Sequence, residues 1–252
     1  MNYPCANTTQ ACTPNAGISK FSFVSGKKYR LRLINTSAEG MQKFTIDGHN
    51  FTVIANDFVP VQPYTTNVIT LGVAQRTDVI VEAVGKAGES YWMRSDLGTL
   101  GAGCSVTDGV SPEALAAIYY QGANTSAVPT TTSGLTAAEL NNCGNDPLNQ
   151  TVAFCAQTPD PNPPTTETIN VVFGSNGTNF VWFMNNSSFR GDYNDPVLLD
   201  EKAGNLNFPP EYNVYNFGSN SSVRVIVKNT FQFGAHPMHV RLSMHRQNLY
   251  ND

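Results

Sequence analysis

Residues 28–34 read Lys-Tyr-Arg-Leu-Arg-Leu-Ile, with Tyr29, Leu31 and Leu33 alternating against Arg30 and Arg32. Side chains on a strand point to opposite faces in turn, so this period of two fits a half-buried strand and no helix. The pattern recurs in short runs separated by turn residues. Examples are 67–73 (NVITLGV), 77–84 (TDVIVEAV), 90–96 (SYWMRSD), 168–173 (TINVVF), 180–186 (FVWFMNN) and 222–229 (SVRVIVKN). Long apolar stripes of helical period are scarce, and the reading is an all-β chain with many loops. The run 43–57 (KFTIDGHNFTVIAND) predicts a hairpin turning at Asp47-Gly48, because glycine tolerates positive φ. Residues 112–120 (PEALAAIYY) predict a helical turn leading into a strand, and 136–142 (TAAELNN) a short helix.

Composition narrows the function classes. Charged residues make up 13% of the 252, with a formal net charge of −4, which lacks the clustered cations that nucleic acid requires. No apolar run is long enough to span a membrane. The N-terminal residues are polar and unlike a secretory signal, yet the body has the marks of a secreted glycoprotein. Nine Asn-x-Ser/Thr sequons occur, at Asn7, Asn35, Asn50, Asn124, Asn149, Asn176, Asn185, Asn186 and Asn220. Random placement would give roughly four or five. The five cysteines, Cys5, Cys12, Cys104, Cys143 and Cys155, contain no CxxC pair, so their spacing fits disulfides better than zinc. Cys5 with Cys12 could close a local loop, and spacing alone leaves a Cys143–Cys155 pair open.

The histidines raise the question of a metal. His236 and His239 stand three apart, so on one strand they face opposite sides and would serve two different metals. A third ligand beside His239 would fall at position 241, which is Arg241, a permanently charged group with no lone pair to donate. His245 shares the His239 face only if the strand continues. His49, in the Asp-Gly-His turn, reads as structural.

Several motifs in order, 26–35 (GKKYRLRLIN), 44–61 (FTIDGHNFTVIANDFVPV), 75–83 (QRTDVIVEA), 91–94 (YWMR), 180–190 (FVWFMNNSSFR) and 235–239 (AHPMH), resemble the fungal laccases and their multicopper oxidase relatives. The resemblance runs from about Lys20 to His239. It implies cupredoxin-like Greek-key sandwiches: a nearly complete middle domain over residues 1–125, a linker over 126–165, and a truncated third domain over 166–252. It implies oxidation of phenols or aromatic amines coupled to reduction of O2 to water, with copper as cofactor, no nucleic-acid or membrane partner, and an extracellular location. By resemblance His236 is a type 1 copper ligand and His239 a type 2 ligand, while Arg241 departs from the family pattern. Glu39 takes the place of the carboxylate that orients a phenol and accepts its proton. Phe180 and Trp182 match aromatic positions lining the type 1 pocket. Cys104 and Cys143 match a disulfide, which leaves Cys155 as an odd thiol.

A blue copper site needs two histidines and a cysteine thiolate, and the family's trinuclear cluster needs more histidines than the four present here. The expectation is therefore an incomplete oxidase, inactive alone and without tight copper binding. From Val240 onward the sequence departs from the family, as reading into a retained intron would produce. The competing expectations are a non-catalytic truncated glycoprotein and a small metal-binding module built on His236, His239 and His245.

Overall fold

The computed structural model describes residues 17–37, 40–97, 113–144, 146–220, 222–230 and Met238. The chain divides into two compact units and passes from the first to the second between Ala156 and Gln157.

The first unit is two sheets sharing one core. One sheet has the order β1-β9-β8-β3-β6, formed by β1 (Ser19–Phe23), β9 (Glu113–Tyr120), β8 (Ser90–Asp96), β3 (Gln42–Ile46) and β6 (Ile69–Leu71). The other has the order β2-β7-β4-β5, formed by β2 (Lys28–Ile34), β7 (Arg76–Glu82), β4 (Phe51–Asn56) and β5 (Val59–Thr66). The pairings are antiparallel except that β1 runs parallel to β9. The all-β sandwich expected from the sequence is what the chain forms. The alternation in β2 holds: Tyr29, Leu31 and Leu33 pack against the core while Arg30 and Arg32 face solvent. Phe51, Val53, Ile69, Val79, Val81 and Ile118, from both sheets, are fully buried, which makes this interface the main hydrophobic stabilisation of the unit.

Two local expectations change. Asp47-Gly48 does not turn a hairpin. β3 pairs with β6 and β8, and β4 with β5 and β7, so the turn carries the chain from one sheet to the other. The hairpin lies one strand later, at Asp57-Phe58 between β4 and β5, where both residues have positive φ, 46° and 70°. Non-glycine residues there carry a conformational cost. It is offset by an ion pair of 3.0 Å from Arg76 to Asp57 and by the Arg76 guanidinium, 4.6 Å from the centre of the Phe58 ring. Residues 113–120 are strand throughout, with no helical turn, because their pairing to both β1 and β8 outweighs the helix propensity of the alanines.

The segment at 126–156 is hydrogen-bonded along the first unit. Tyr119 donates to the carbonyl of Ala127 at 2.7 Å, Gln62 N–H to that of Val152 at 2.8 Å, and Phe154 N–H to that of Pro60 at 2.8 Å. The short helix α1 (Ala137–Leu140) begins with a capping box between Thr136 and Glu139.

The second unit contains a three-stranded sheet, β11-β10-β12, of β10 (Thr165–Ser175), β11 (Phe180–Met184) and β12 (Val223–Asn229). β10 is antiparallel to β11 and parallel to β12. A six-residue helix α2 (Val197–Lys202) and a 3-10 turn lie in the connection from β11 to β12. Of the strand expected at 236–240, Met238 alone lies among the described residues.

Gly85 sets a tight contact in the first unit. A Cβ there would come within 2.6 Å of the Tyr120 ring and 2.7 Å of the Tyr91 ring. Both rings belong to packed strands, so neither can swing clear. Gly85→Ala is expected to lower stability by about 1–3 kcal/mol. Urea unfolding followed by Trp92 fluorescence in a Trp182→Phe background measures it, and an unchanged midpoint would show that the rings can yield.

Candidate functional site

Of the residues singled out from the sequence, Glu39, His236 and His239 lie outside the described residues, as do Cys104, Arg241 and His245. The structure places Phe180, Trp182, His49, Cys143 and Cys155.

His49 follows the turn between the sheets and is 4% exposed. Its Nδ1 is 2.8 Å from the backbone oxygen of Asp47. A carbonyl can only accept, so Nδ1 carries the proton. Nε2 lies 2.6 Å from the Tyr120 hydroxyl and accepts from it. Burial holds the His49 pKa below its usual value, against the raising influence of the Asp47 carbonyl and carboxylate. The ring is therefore neutral, with both nitrogens engaged, and it sits among Phe23, Tyr91 and Tyr120 at centroid distances of 6.5, 4.9 and 6.0 Å. It has no lone pair to offer a metal, as its position in the turn suggested.

The same turn carries an ion cluster that the sequence did not announce. Arg94 on β8 donates Nε and Nη2 to the two carboxylate oxygens of Asp47, at 2.8 and 2.9 Å. Its Nη1 pairs with Glu113 on β9, and Nη2 also reaches the carbonyl of Thr131 at 3.1 Å. The Thr131 hydroxyl donates to Asp47 at 2.7 Å and accepts from Trp92 N–H at 3.1 Å. These contacts raise the Arg94 pKa, the bond to Asp47 most of all. Asp96, two residues along the same face of β8, is 9% exposed. Burial, then repulsion from Glu113 and Asp47, pushes its pKa up to about 6 against the pull of Arg94. The visible signal was the Arg-x-Asp alternation of β8, but nothing in the sequence says that this face looks inward at a carboxylate 47 positions away.

Beside this cluster lies a cleft of about 310 Å³, lined among others by Thr45, Asp47, His49, Asn50, Asn67 and Leu135. The buried Thr45 hydroxyl has no hydrogen-bond partner among the described residues. Among the described residues, no three or more His, Cys, Asp or Glu side chains gather as a metal site. The described donors thus do not fit a copper centre.

In the second unit Phe180 and Trp182 share one face of β11, as positions two apart must. Phe173 on β10, opposite Trp182 in the register, joins them. Its ring stacks on Phe180 at 5.7 Å and meets Trp182 at 4.9 Å. Phe180 is 75% exposed, so the ladder presents an aromatic surface on which a planar molecule can stack. Phe173 was not singled out from the sequence, because its role depends on the register of a neighbouring strand.

Cys143 is disulfide-bonded and Cys155 is free and exposed, which eliminates the pairing of the two. The Cys143 partner lies outside the described residues.

The Asp96 environment gives a stability prediction with a definite sign. Its folded pKa exceeds the unfolded value, so its contribution is present below about pH 4 and is lost as pH rises through about 6. Asp96→Asn removes that loss. The variant is expected to gain about 2–3 kcal/mol over the parent between pH 4 and pH 7.5. The lowered His49 pKa acts in the opposite direction but is common to both proteins and cancels. Parallel urea titrations measure the difference, and a pH-independent gap would contradict the assignment.

Residues 5–123 match the Multicopper oxidase (Cu-oxidase) family. Laccase-2 of Botryotinia fuckeliana is 34% identical over 245 residues, covering 94% of this chain and 40% of that protein. Laccase-1 of the same fungus is 37% identical over 205 residues, covering 80% and 34%. The crystal structure of the laccase from Botrytis aclada superposes with a TM-score of 0.73 at 32% identity, covering 92% of this chain and 41% of that one. The chain spans about two fifths of the length of these relatives. With its sandwich fold and its similarity along nearly the whole sequence, this chain belongs to the multicopper oxidase family, on the branch of the fungal laccases.

Proposed function

We propose that this chain contributes to a laccase-type oxidase, which removes electrons from phenols or aromatic amines and delivers them to O2, forming water. The observation that carries the reading is the laccase similarity over 94% of the chain, extending through both compact units. In this reading residues 1–125 are the middle cupredoxin-like domain, 126–165 the linker and 166–252 the start of the third domain. The setting is extracellular, and Cys104 is the disulfide partner of Cys143.

Each proposed residue role follows from its chemistry. Glu39 accepts the phenolic proton, so that the substrate does not have to form a high-energy radical cation when it loses an electron. Phe180 and Trp182, backed by Phe173, offer the aromatic surface on which the substrate ring lies. His236 and His239 would supply one imidazole each to a type 1 and a type 2 copper, and copper, when bound, would supply the electron acceptor. His49 is already engaged on both nitrogens. Three of the four histidines are then left for copper, fewer than the family's centres require. The remaining ligands are therefore proposed to come from residues beyond this sequence.

The test compares the Cu(II)-loaded chain with the translated product of the full gene locus. The locus product is expected to oxidise 2,6-dimethoxyphenol with O2 uptake, and Glu39→Gln to lower kcat/KM for the phenol by roughly 10²-fold. An inorganic one-electron donor, which has no proton to lose, should be oxidised by the Glu39→Gln variant as fast as by the parent. The chain alone should show no blue type 1 band. A blue band from the chain alone would overturn the reading of an incomplete ligand set, and equal loss on both donors would overturn the role of Glu39.

A further inference from the structure

The nine sequons share one sequence rule, but the fold separates four of them. We propose that Asn124 and Asn176 are N-glycan acceptors, while Asn35 and Asn185 are silent sequons whose carboxamides serve the fold.

A sequon compatible with a glycan in the folded chain must leave its side-chain nitrogen accessible and not already donating. At Asn124, on an exposed turn after β9, Oδ1 accepts from Ser126 N–H at 2.9 Å, the residue two places on in its own sequon. Asn176 is built the same way at the tip of the β10–β11 hairpin. There Oδ1 accepts from Thr178 N–H at 3.1 Å and from Asn179 N–H at 2.8 Å. In both, the oxygen pins the carboxamide to the turn. Nδ2, at the other end of the amide, is exposed and makes no hydrogen bond among the described residues. A glycan at either position extends into solvent and displaces nothing.

Asn35 has the same turn, with Oδ1 accepting from Ser37 N–H at 3.0 Å, but the opposite fate for its nitrogen. It is 5% exposed, and Nδ2 spends both protons, on the carbonyl of Gly40 at 3.1 Å and that of Leu71 at 2.9 Å. These bonds tie the connection after β2 to the end of β6. A sugar on Nδ2 would remove one of those donors and occupy space already filled by backbone. Asn185 is clasped likewise. Its Oδ1 accepts from Asn170 N–H at 2.9 Å, and its Nδ2 donates to the carbonyl of Thr168 at 3.1 Å. A glycan on Asn35 would break this arrangement, and one on Asn185 would have to share Nδ2 with the Thr168 carbonyl.

The reaction is a substitution with no change of oxidation state. The Asn Nδ2 attacks the anomeric carbon of a lipid-pyrophosphate-linked oligosaccharide. A carbon–nitrogen bond forms, the carbon–oxygen bond to pyrophosphate breaks, one Nδ2 proton is lost, and the lipid pyrophosphate leaves.

The test is site mapping on the full chain secreted in folded form from a yeast host. Enzymatic deglycosylation in heavy-oxygen water converts each occupied Asn to a mass-tagged Asp. Tags are expected at Asn124 and Asn176, with unmodified Asn at positions 35 and 185. Ser126→Ala and Thr178→Ala should each remove one glycan from the intact mass, and Ser37→Ala none. A tag at Asn35 or Asn185 in the folded fraction, or an untagged Asn124 or Asn176, would overturn the proposal. The readout involves no copper and no oxidase activity, so it stands or falls apart from the laccase reading.

Discussion

The two-oxygen ion pair between Arg94 and Asp47 fixes how the first unit is assembled. Asp47 sits where the chain leaves one sheet for the other, and Arg94 is held by β8 in the first of them. Both groups are nearly buried. Desolvation leaves such a pair little net stabilising value, but stripping either partner strands the other and costs about 3–5 kcal/mol. The pair therefore acts on geometry: the crossover has one place to sit. Thr131 and Glu113 join the same cluster, so β9 and the segment after it are anchored to the same point. His49 then completes the crossover by bonding back to Asp47 and across to Tyr120.

This arrangement explains which parts of the molecule were legible in its sequence. Strands β2 and β7 were, because their alternation is local and one face of each meets solvent. The Asp47-Gly48 turn was visible as a turn but misassigned as a hairpin. Its partner is Arg94 on a distant strand, and a tight turn has the same local signature whether the chain returns beside itself or crosses a sandwich. Asp57-Phe58 was missed as a hairpin for the converse reason. Phe58 disfavours positive φ, and the compensation comes from Arg76, nineteen positions from Asp57. At the candidate site, His49 was readable as structural from its place in the turn. The aromatic ladder was half readable, since Phe180 and Trp182 share a strand while Phe173 enters only through register.

The family relationship and the physical reading constrain each other. Similarity to fungal laccases brings the expectation of copper, yet the one histidine among the described residues is held by the fold and faces aromatic rings. The imidazoles proposed for copper, His236 and His239, lie on the same stretch as Arg241, which has no lone pair to donate. The contribution proposed for this chain is therefore to the substrate side of an oxidase, with Glu39 proposed for the proton and the β10–β11 aromatic face for the ring.

The central physical claim is that His49 belongs to the fold and not to a metal. Nitrogen-15 NMR of the imidazole groups at neutral pH, before and after addition of Cu(I), tests it directly. A neutral His49 ring protonated on Nδ1 is expected, with nitrogen shifts unchanged by the metal. A proton on Nε2, or a coordination shift of either His49 nitrogen on adding Cu(I), would contradict it.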